Sequence, residues 1–257
     1  MTAAVLETRH LNKSFGALKA TTDVSFRLEK GARHALIGPN GAGKTTFINL
    51  LTGVLAPSGG QVFLNGEDIS SLKRERRVHR GLVRTFQINQ LFGELNVVES
   101  LGLVISERRG HGRDWFRTAG TLAGIEDEIA GLVGDFGLDT VLDQPCSSLP
   151  YGKQRLLEIA LAIACKPKVL LLDEPAAGVP EADRHEVLAR LAALPKDVSI
   201  LLIEHDMDLV FNFAQRISVL VGGSLFAEGS VEEIARDPRV REVYLGEEAH
   251  LSEEAHG

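Results

Sequence analysis

The run Gly38-Pro39-Asn40-Gly41-Ala42-Gly43-Lys44-Thr45 has the residue types and spacing of a loop that wraps phosphate. Its glycines let successive backbone N–H groups turn toward phosphate oxygens, and a helix starting at Lys44 adds its positive end. Lys44 can reach the β- and γ-phosphates of a nucleotide, the Thr45 hydroxyl can ligate Mg²⁺, and Thr46 belongs to the same phosphate-binding set. A second run, Val169-Leu170-Leu171-Leu172-Asp173-Glu174-Pro175, is an apolar strand ending in two carboxylates. Asp173 can orient the ion held by Thr45, usually through water. Glu174 projects differently and can polarise a water in line with the γ-phosphate. Most of the barrier lowering in such chemistry comes from charge arranged around the transferring phosphoryl group.

Two further residues stand at apparent strand ends. Gln87 follows Arg84-Thr85-Phe86, and its amide can bind Mg²⁺ through oxygen or hold the attacking water. His205 follows Leu201-Leu202-Ile203-Glu204 and is either a donor to the γ-phosphate or a structural hydrogen-bond donor. Both gain weight only from the two longer runs. Leu149-Pro150-Tyr151-Gly152-Lys153-Gln154 precedes a helical run, 155–166, with Pro150 suited to a helix start. This segment either caps its helix or presents N–H groups to a nucleotide on another copy.

The elements that must position these residues follow from the hydrophobic pattern. Residues 32–37 read as a short strand and 44–51 as a helix with apolar contacts from Phe47, Ile48, Leu50 and Leu51, the setting a phosphate loop requires. Segments 5–11 and 24–28 read as strands flanking a turn at Ser14-Phe15-Gly16. Pro57-Ser58-Gly59-Gly60 leads into a strand at 61–64, with another turn at Asn65-Gly66. This front third predicts an antiparallel or mixed sheet beside the nucleotide core, with 82–86 returning to that core. From about 95 to 165 strand signals fade, and Ile125, Ile129, Leu132, Val133 and Phe136 mark one helical stripe. Strands at 168–173 and 198–204 enclose a helix at 181–194, an order that favours parallel strands. A hairpin around Gly222-Gly223 and a capping box, Ser230-Val231-Glu232-Glu233, close the pattern.

A chain of 257 residues accommodates one large α/β core carrying a smaller subdomain. Its 44% hydrophobic content is ordinary for a globular protein, and no stretch approaches the roughly 20 apolar residues of a membrane span. The start, Met1 to Glu7, lacks the basic and apolar regions of a secretory signal. Cys146 and Cys165 alone indicate neither a disulfide framework nor a cysteine-rich metal site, so a cytosolic chain is expected. The formal charge of −7 argues against broad nucleic-acid binding. Lys73-Arg74-Glu75-Arg76-Arg77 reads first as an exposed helix face, and otherwise as a phosphate grip. The basic, glycine-rich stretch 108–113 is expected to be a flexible excursion, and the acidic tail 246–257 is expected to fray.

Taken together, these motifs resemble the ATP-binding-cassette ATPases across nearly the whole chain. Gly38–Thr45 is similar to the Walker A segment, Gln87 to the Q-loop glutamine, Leu149-Pro150-Tyr151-Gly152-Lys153 to the signature loop, Asp173 to the Walker B aspartate, Glu174 to the catalytic glutamate and His205 to the switch histidine. Phe15 falls where an aromatic stacks on adenine, although a core role fits it equally from sequence. The resemblance implies an α/β P-loop core with an antiparallel β subdomain and an inserted helical subdomain. It divides the chain into 1–94, core with β subdomain; 95–165, helical subdomain with signature loop; 166–238, the rest of the core; and 239–257, a tail. It also implies ATP and Mg²⁺ as cofactors and a second such ATPase as partner, in a homodimer or heterodimer. Each phosphate loop would then receive the other subunit's signature loop. Membrane permeases would contact the helical subdomain and the surface near Gln87, a solute-binding protein would act indirectly, and the chain would sit at the cytoplasmic face of the membrane.

Arg84-Thr85-Phe86-Gln87, Leu91-Phe92, Glu174-Pro175-Ala176-Ala177-Gly178 and Val240-Arg241-Glu242-Val243-Tyr244-Leu245-Gly246 are similar to the branched-chain amino-acid importer subgroup, LivG-type subunits above all. Importers of urea, amides or other small solutes are the alternative, and a soluble non-transport ATPase of the same family is a further one. The chain departs from the family pattern at three places. Pro150 replaces the usual signature serine, Lys153 the common final glutamine, and Pro180 the usual D-loop aspartate. The first two put equal hydrolysis at both sites in doubt, and the third puts communication between them in doubt.

Overall fold

The computed structural model describes residues 4–85, 91–110 and 124–243. Strands β1 (Ala4–Phe15), β2 (Leu18–Val24) and β3 (Arg27–Glu29) come first, then β4 (Arg33–Ile37) and helix α1 (Lys44–Thr52). Next are β5 (Gly59–Leu64), β6 (Glu67–Asp68), α2 (Arg74–His79) and β7 (Leu82–Arg84). Three helices follow, α3 (Val97–Arg108), α4 (Glu126–Phe136) and α5 (Tyr151–Ala164). The chain then alternates through β8 (Val169–Asp173), α6 (Glu181–Ala192), β9 (Ser199–Ile203) and α7 (Met207–Phe213), before β10 (Arg216–Val221), β11 (Ser224–Ser230) and α8 (Val231–Arg236).

Two sheets result. One is antiparallel, in the order β2-β1-β5-β6 with β3 also on β1; the other runs β11-β10-β4-β9-β8-β7, parallel except for the β10–β11 hairpin. The α/β class and the antiparallel front third therefore stand as read from the sequence. The central parallel strands β8 and β9 each carry a run of four apolar residues, 169–172 and 200–203, because both of their faces are covered. On β8, Leu170 and Leu172 enter the core shared with the helices α3–α6, while Val169 and Leu171 enter the core shared with α1 and the antiparallel sheet. Side chains alternate across a strand, so one five-residue run serves both layers.

Two local expectations change, and one short helix is added. The front hairpin turns at Gly16 between β1 and β2, so Leu18–Val24 is strand. Its polar residues and irregular register hide the alternation that marks a strand. The seven-residue α7 has too few turns for periodicity to show, and the side chain of Asp206 caps it by accepting from the N–H groups of Asp208 and Leu209. The basic cluster does form a helix, α2, but Arg77 turns inward and is fully buried. Its guanidinium donates to the carbonyls of Leu50, Leu51, Leu72 and Ser70 at 2.6–2.9 Å. It thereby caps the C-terminal end of α1, where the Leu50 carbonyl also accepts from the Gly53 N–H at 3.3 Å. A phosphate grip by Arg77 is excluded.

Candidate functional site

Register decides where the chemistry gathers. Leu36 of β4 and Asp173 of β8 both pair with Ile203 of β9, so the phosphate loop, the two carboxylates and the segment starting at Glu204 leave the parallel sheet at one edge. That edge, at the strand C-termini, is where ligands of open α/β sheets bind. Gly43, with φ 96°, is the N-cap of α1 and brings no side-chain cap; a Cβ there would lie 2.5 Å from the Ala20 carbonyl oxygen. Without a capping oxygen or an acidic residue in the first turn, the opening N–H groups of α1 present their positive pole to an anion. The Lys44 ammonium folds into the loop, donating to the carbonyls of Gly38 and of Pro39.

A cleft forms over this loop. Asn40, Gly41, Ala42, Gly43, Lys44, Thr45 and Thr46 line it together with Phe15, Leu18, Lys19, Ala20, Glu174, Gly222 and Gly223. Phe15 is 46% exposed, which excludes the core role. Gly223 donates to the Ala42 carbonyl at 2.9 Å, so the β10–β11 turn braces the phosphate loop.

Asp173 is buried beside the cleft, its Oδ2 accepting from Arg84 Nη2 at 2.5 Å. Arg84 also donates to Asn49 Oδ1 at 2.7 Å. Asn49 stands four residues beyond Thr45 on α1, hence on the same helix face. Arg84 thus ties the aspartate to the face of α1 that carries the threonine hydroxyl. Hydroxyl and carboxylate oxygens on adjoining elements fit Mg²⁺, a hard cation that keeps several waters.

Glu174 has the left-handed backbone angle φ 46°. Its N–H donates to the Ile203 carbonyl at 2.9 Å, and its carbonyl accepts from Arg155 at 2.6 Å. The Glu174 carboxylate approaches the exposed His205 ring, with Oε1 and Nδ1 3.7 Å apart. Beneath them Glu204 is buried and accepts from the N–H groups of Ala176 and His205 at 3.3 and 3.1 Å, bridging the two segments. Burial raises the pKa of Glu204 above the ordinary carboxylate value, against those hydrogen bonds.

The proposed signature residues lie elsewhere on the surface. None of Pro150, Tyr151, Gly152 and Lys153 lines the cleft over this chain's own phosphate loop. Pro150 is the exposed N-cap of α5; the Tyr151 hydroxyl donates to the Ala177 carbonyl at 3.2 Å. Gly152 is buried against Asp183, and Lys153 directs its ammonium to the Gly137 carbonyl and Glu186 at 2.9 and 2.8 Å. Gln87 falls outside the described residues. Sequence reading assigned no role to Arg84, Arg155, Glu204 or the Gly222–Gly223 turn. For Arg155 a signal existed: a charged residue in a helical run where Ile159 and Ala162 mark the apolar side, with Glu158 three positions on.

The family model described as ABC transporter matches residues 21–177. The chain belongs to the ABC transporter family. A second model, described as branched-chain amino acid ATP-binding cassette transporter, matches residues 224–250. Among curated proteins, the cassette is 39% identical to a probable branched-chain amino acid transport ATP-binding protein LivG of Archaeoglobus fulgidus, with 94% of this chain and 95% of that protein covered. It is 36% identical to the high-affinity branched-chain amino acid transport ATP-binding protein BraF of Pseudomonas aeruginosa, with 96% and 100% covered. It is 38% identical to the LivG protein of Escherichia coli K12, with the same coverage. Among solved structures, an ATP-binding cassette of an ABC transporter in its ADP conformation superposes with a TM-score of 0.80 at 31% identity, covering 95% of this chain and 100% of that one. A nucleotide-free cassette gives 0.80 at 30% identity, covering 94% and 99%.

Proposed function

We propose that this chain is the ATP-hydrolysing subunit of an importer for branched-chain amino acids, bound peripherally at the cytoplasmic face of the membrane. The observation that carries the reading is the convergence of the phosphate loop and Glu174 on one cleft, with Asp173 tied to the same helix. The names of the relatives and the model matched at residues 224–250 support the solute class. Among the described residues no helix is long and apolar enough to cross a membrane. Separate permease subunits then form the path, and a solute-binding protein delivers the solute.

In this reading the N–H groups of 38–46 and the Lys44 ammonium hold the β- and γ-phosphates, and Phe15 stacks on the adenine. Thr45, Asp173 and Gln87 hold Mg²⁺, which when bound supplies positive charge to the phosphate oxygens. Glu174 accepts a proton from the water that attacks the γ-phosphate, and His205 donates to that phosphate. Pro150, Tyr151, Gly152 and Lys153 meet the nucleotide of a second ATPase subunit, identical or related, across a head-to-tail dimer. The helical layer α3–α5 faces the permeases.

Two measurements test it. Glu174→Gln is expected to keep MgATP affinity while slowing single-turnover hydrolysis by about a hundredfold or more, a barrier increase of about 3 kcal/mol. Cleavage near the wild-type rate in that variant removes Glu174 as the base. In a complex copurified with its permeases and reconstituted, leucine, isoleucine or valine with the binding protein should stimulate ATPase activity. Stimulation by urea or amides alone moves the chain to the neighbouring importer class.

A further inference from the structure

Arg155 is completely buried, one turn into α5. Its Nε donates to the Pro175 carbonyl at 2.9 Å, and its Nη2 to the carbonyls of Asp173 and Glu174 at 3.2 and 2.6 Å. Its Nη1 pairs with Glu158 at 2.6 Å, which supplies the opposite charge that a buried guanidinium requires. A single side chain therefore grips three consecutive carbonyls, centred on the residue read above as the general base. That residue sits in a left-handed conformation, which costs energy in an L-residue and persists only where neighbours hold it.

The helix that carries Arg155 begins with the segment 150–153, and that start is fastened to the same stretch. Besides the bond from its hydroxyl to Ala177, the Tyr151 ring packs on Gly178 so closely that a Cβ there would lie 2.9 Å from the hydroxyl oxygen. Gly152 rests on Asp183 and Lys153 pairs with Glu186, both on α6. The start of α5, residues 173–178 and the start of α6 are thus one bonded unit, and a shift of α5 must carry the backbone of Glu174 with it.

We propose that Arg155 is a positioning residue: it sets the aim of Glu174 from the helix whose opening loop meets the partner's nucleotide, so engagement of that loop is transmitted to this subunit's own site. The proposal rests on Glu174 being the general base. A lysine would not replace the fork, because a point charge on a flexible stem cannot hold three carbonyls in fixed directions.

The test compares wild type, Arg155→Lys, Glu174→Gln and the double variant, as full chains copurified with their membrane partners and checked by thermal midpoint. Arg155→Lys should lower kcat by about tenfold or more and leave KM and MgATP affinity within about threefold, because it acts in the chemical step rather than in binding. Added to Glu174→Gln, it should cost nothing further, since both changes remove one function. Wild-type kcat in folded Arg155→Lys overturns the proposal, as does a full additional loss in the double variant. Normal hydrolysis by Glu174→Gln alone instead removes the underlying base assignment, a result separable from the other two. If Arg155→Lys does not fold, Tyr151→Phe, which keeps the ring and removes the bond to Ala177, should lower kcat about two- to fivefold at unchanged KM and MgATP affinity. Unchanged kcat in that milder variant also overturns the proposal.

Discussion

The phosphate loop and the loop opening α5 are both expected to touch ATP, yet they hold their shapes differently. The first is made mainly of its own backbone: glycine at the N-cap of α1, N–H groups of the first turn, and a lysine folded onto carbonyls five and six residues before it, with one brace from the Gly223 N–H to Ala42. The second is held from a distance, through Tyr151 on Ala177, Lys153 on Glu186 and Arg155 on the carbonyls after β8. A loop made of its own backbone is suited to a fixed cradle. A loop tied by side chains to the segment that carries Glu174 is suited to passing on a displacement. The difference suits the phosphate loop to binding and the loop opening α5, which does not line the cleft, to communication.

The largest effect expected of this contrast comes from Lys44→Ala. Removing the ammonium should weaken MgATP binding by about a hundredfold or more, roughly 3 kcal/mol, because a charge-assisted contact to phosphate is lost inside a cleft. The checks are equilibrium binding of ATP and, separately, the thermal midpoint without nucleotide. Unchanged affinity would break the assignment of binding to this loop.

The same contrast explains what was legible in the sequence. The loop from Gly38 to Thr45, the apolar run ending at Asp173-Glu174, the β10–β11 hairpin and the capping box at Ser230 all carry their cause within a few residues. Fold class and most of the cleft followed from them. Arg84 and Arg77 did not, because their partners lie 35–89 and 5–27 residues away, and Arg155 showed only its Glu158 neighbour, its carbonyl partners lying 18–20 residues away. The basic cluster at 73–77 misled for that reason: a buried arginine and a solvated one look identical in sequence. Placing Phe15 also took the structure, since an aromatic beside a turn suits a core and a cleft equally.

Acid titration separates the two sides with opposite signs. His34, on the strand that feeds the phosphate loop, is buried, bonded to Ser218 Oγ at 2.8 Å, and burial holds its pKa down to about 4. The unfolded chain regains the ordinary value of about 6.5, so between those values it binds the proton more readily than the fold does. Stability contributed by neutral His34 is therefore complete above about pH 6.5 and is lost as pH falls toward 4; between pH 7 and 5 the loss should reach about 2 kcal/mol. Glu204, on the other side, has its pKa raised by burial, so the fold takes up a proton there before the unfolded chain does. Its contribution works the other way, and stability falls as pH rises from the ordinary carboxylate value toward the raised one. Denaturant midpoints at pH 5 and 7 for wild type, His34→Asn and Glu204→Gln check this. His34→Asn should flatten the acid loss and Glu204→Gln should steepen it. A steeper loss in His34→Asn would reverse the sign assigned to the histidine.

The smallest effect tests where the phosphate side ends. Phe15 stands at the turn of the β1–β2 hairpin, half-exposed at the rim of the cleft, with the Lys13 ammonium 5.0 Å from its ring centroid. Lys13 is itself anchored by donating to the Ala56 carbonyl at 2.9 Å, so the cation and the ring stay together. An aromatic face against a base contributes about 1 kcal/mol or somewhat more, and does so without distinguishing one purine from another. Phe15→Ala should therefore weaken ATP and GTP alike, by about five- to tenfold, with kcat unchanged at saturating nucleotide. Phe15→Tyr should restore affinity because it keeps the ring. If Phe15→Ala instead lowers kcat at unchanged affinity, the hairpin belongs with the communicating loop, and the division drawn between the two loops must move.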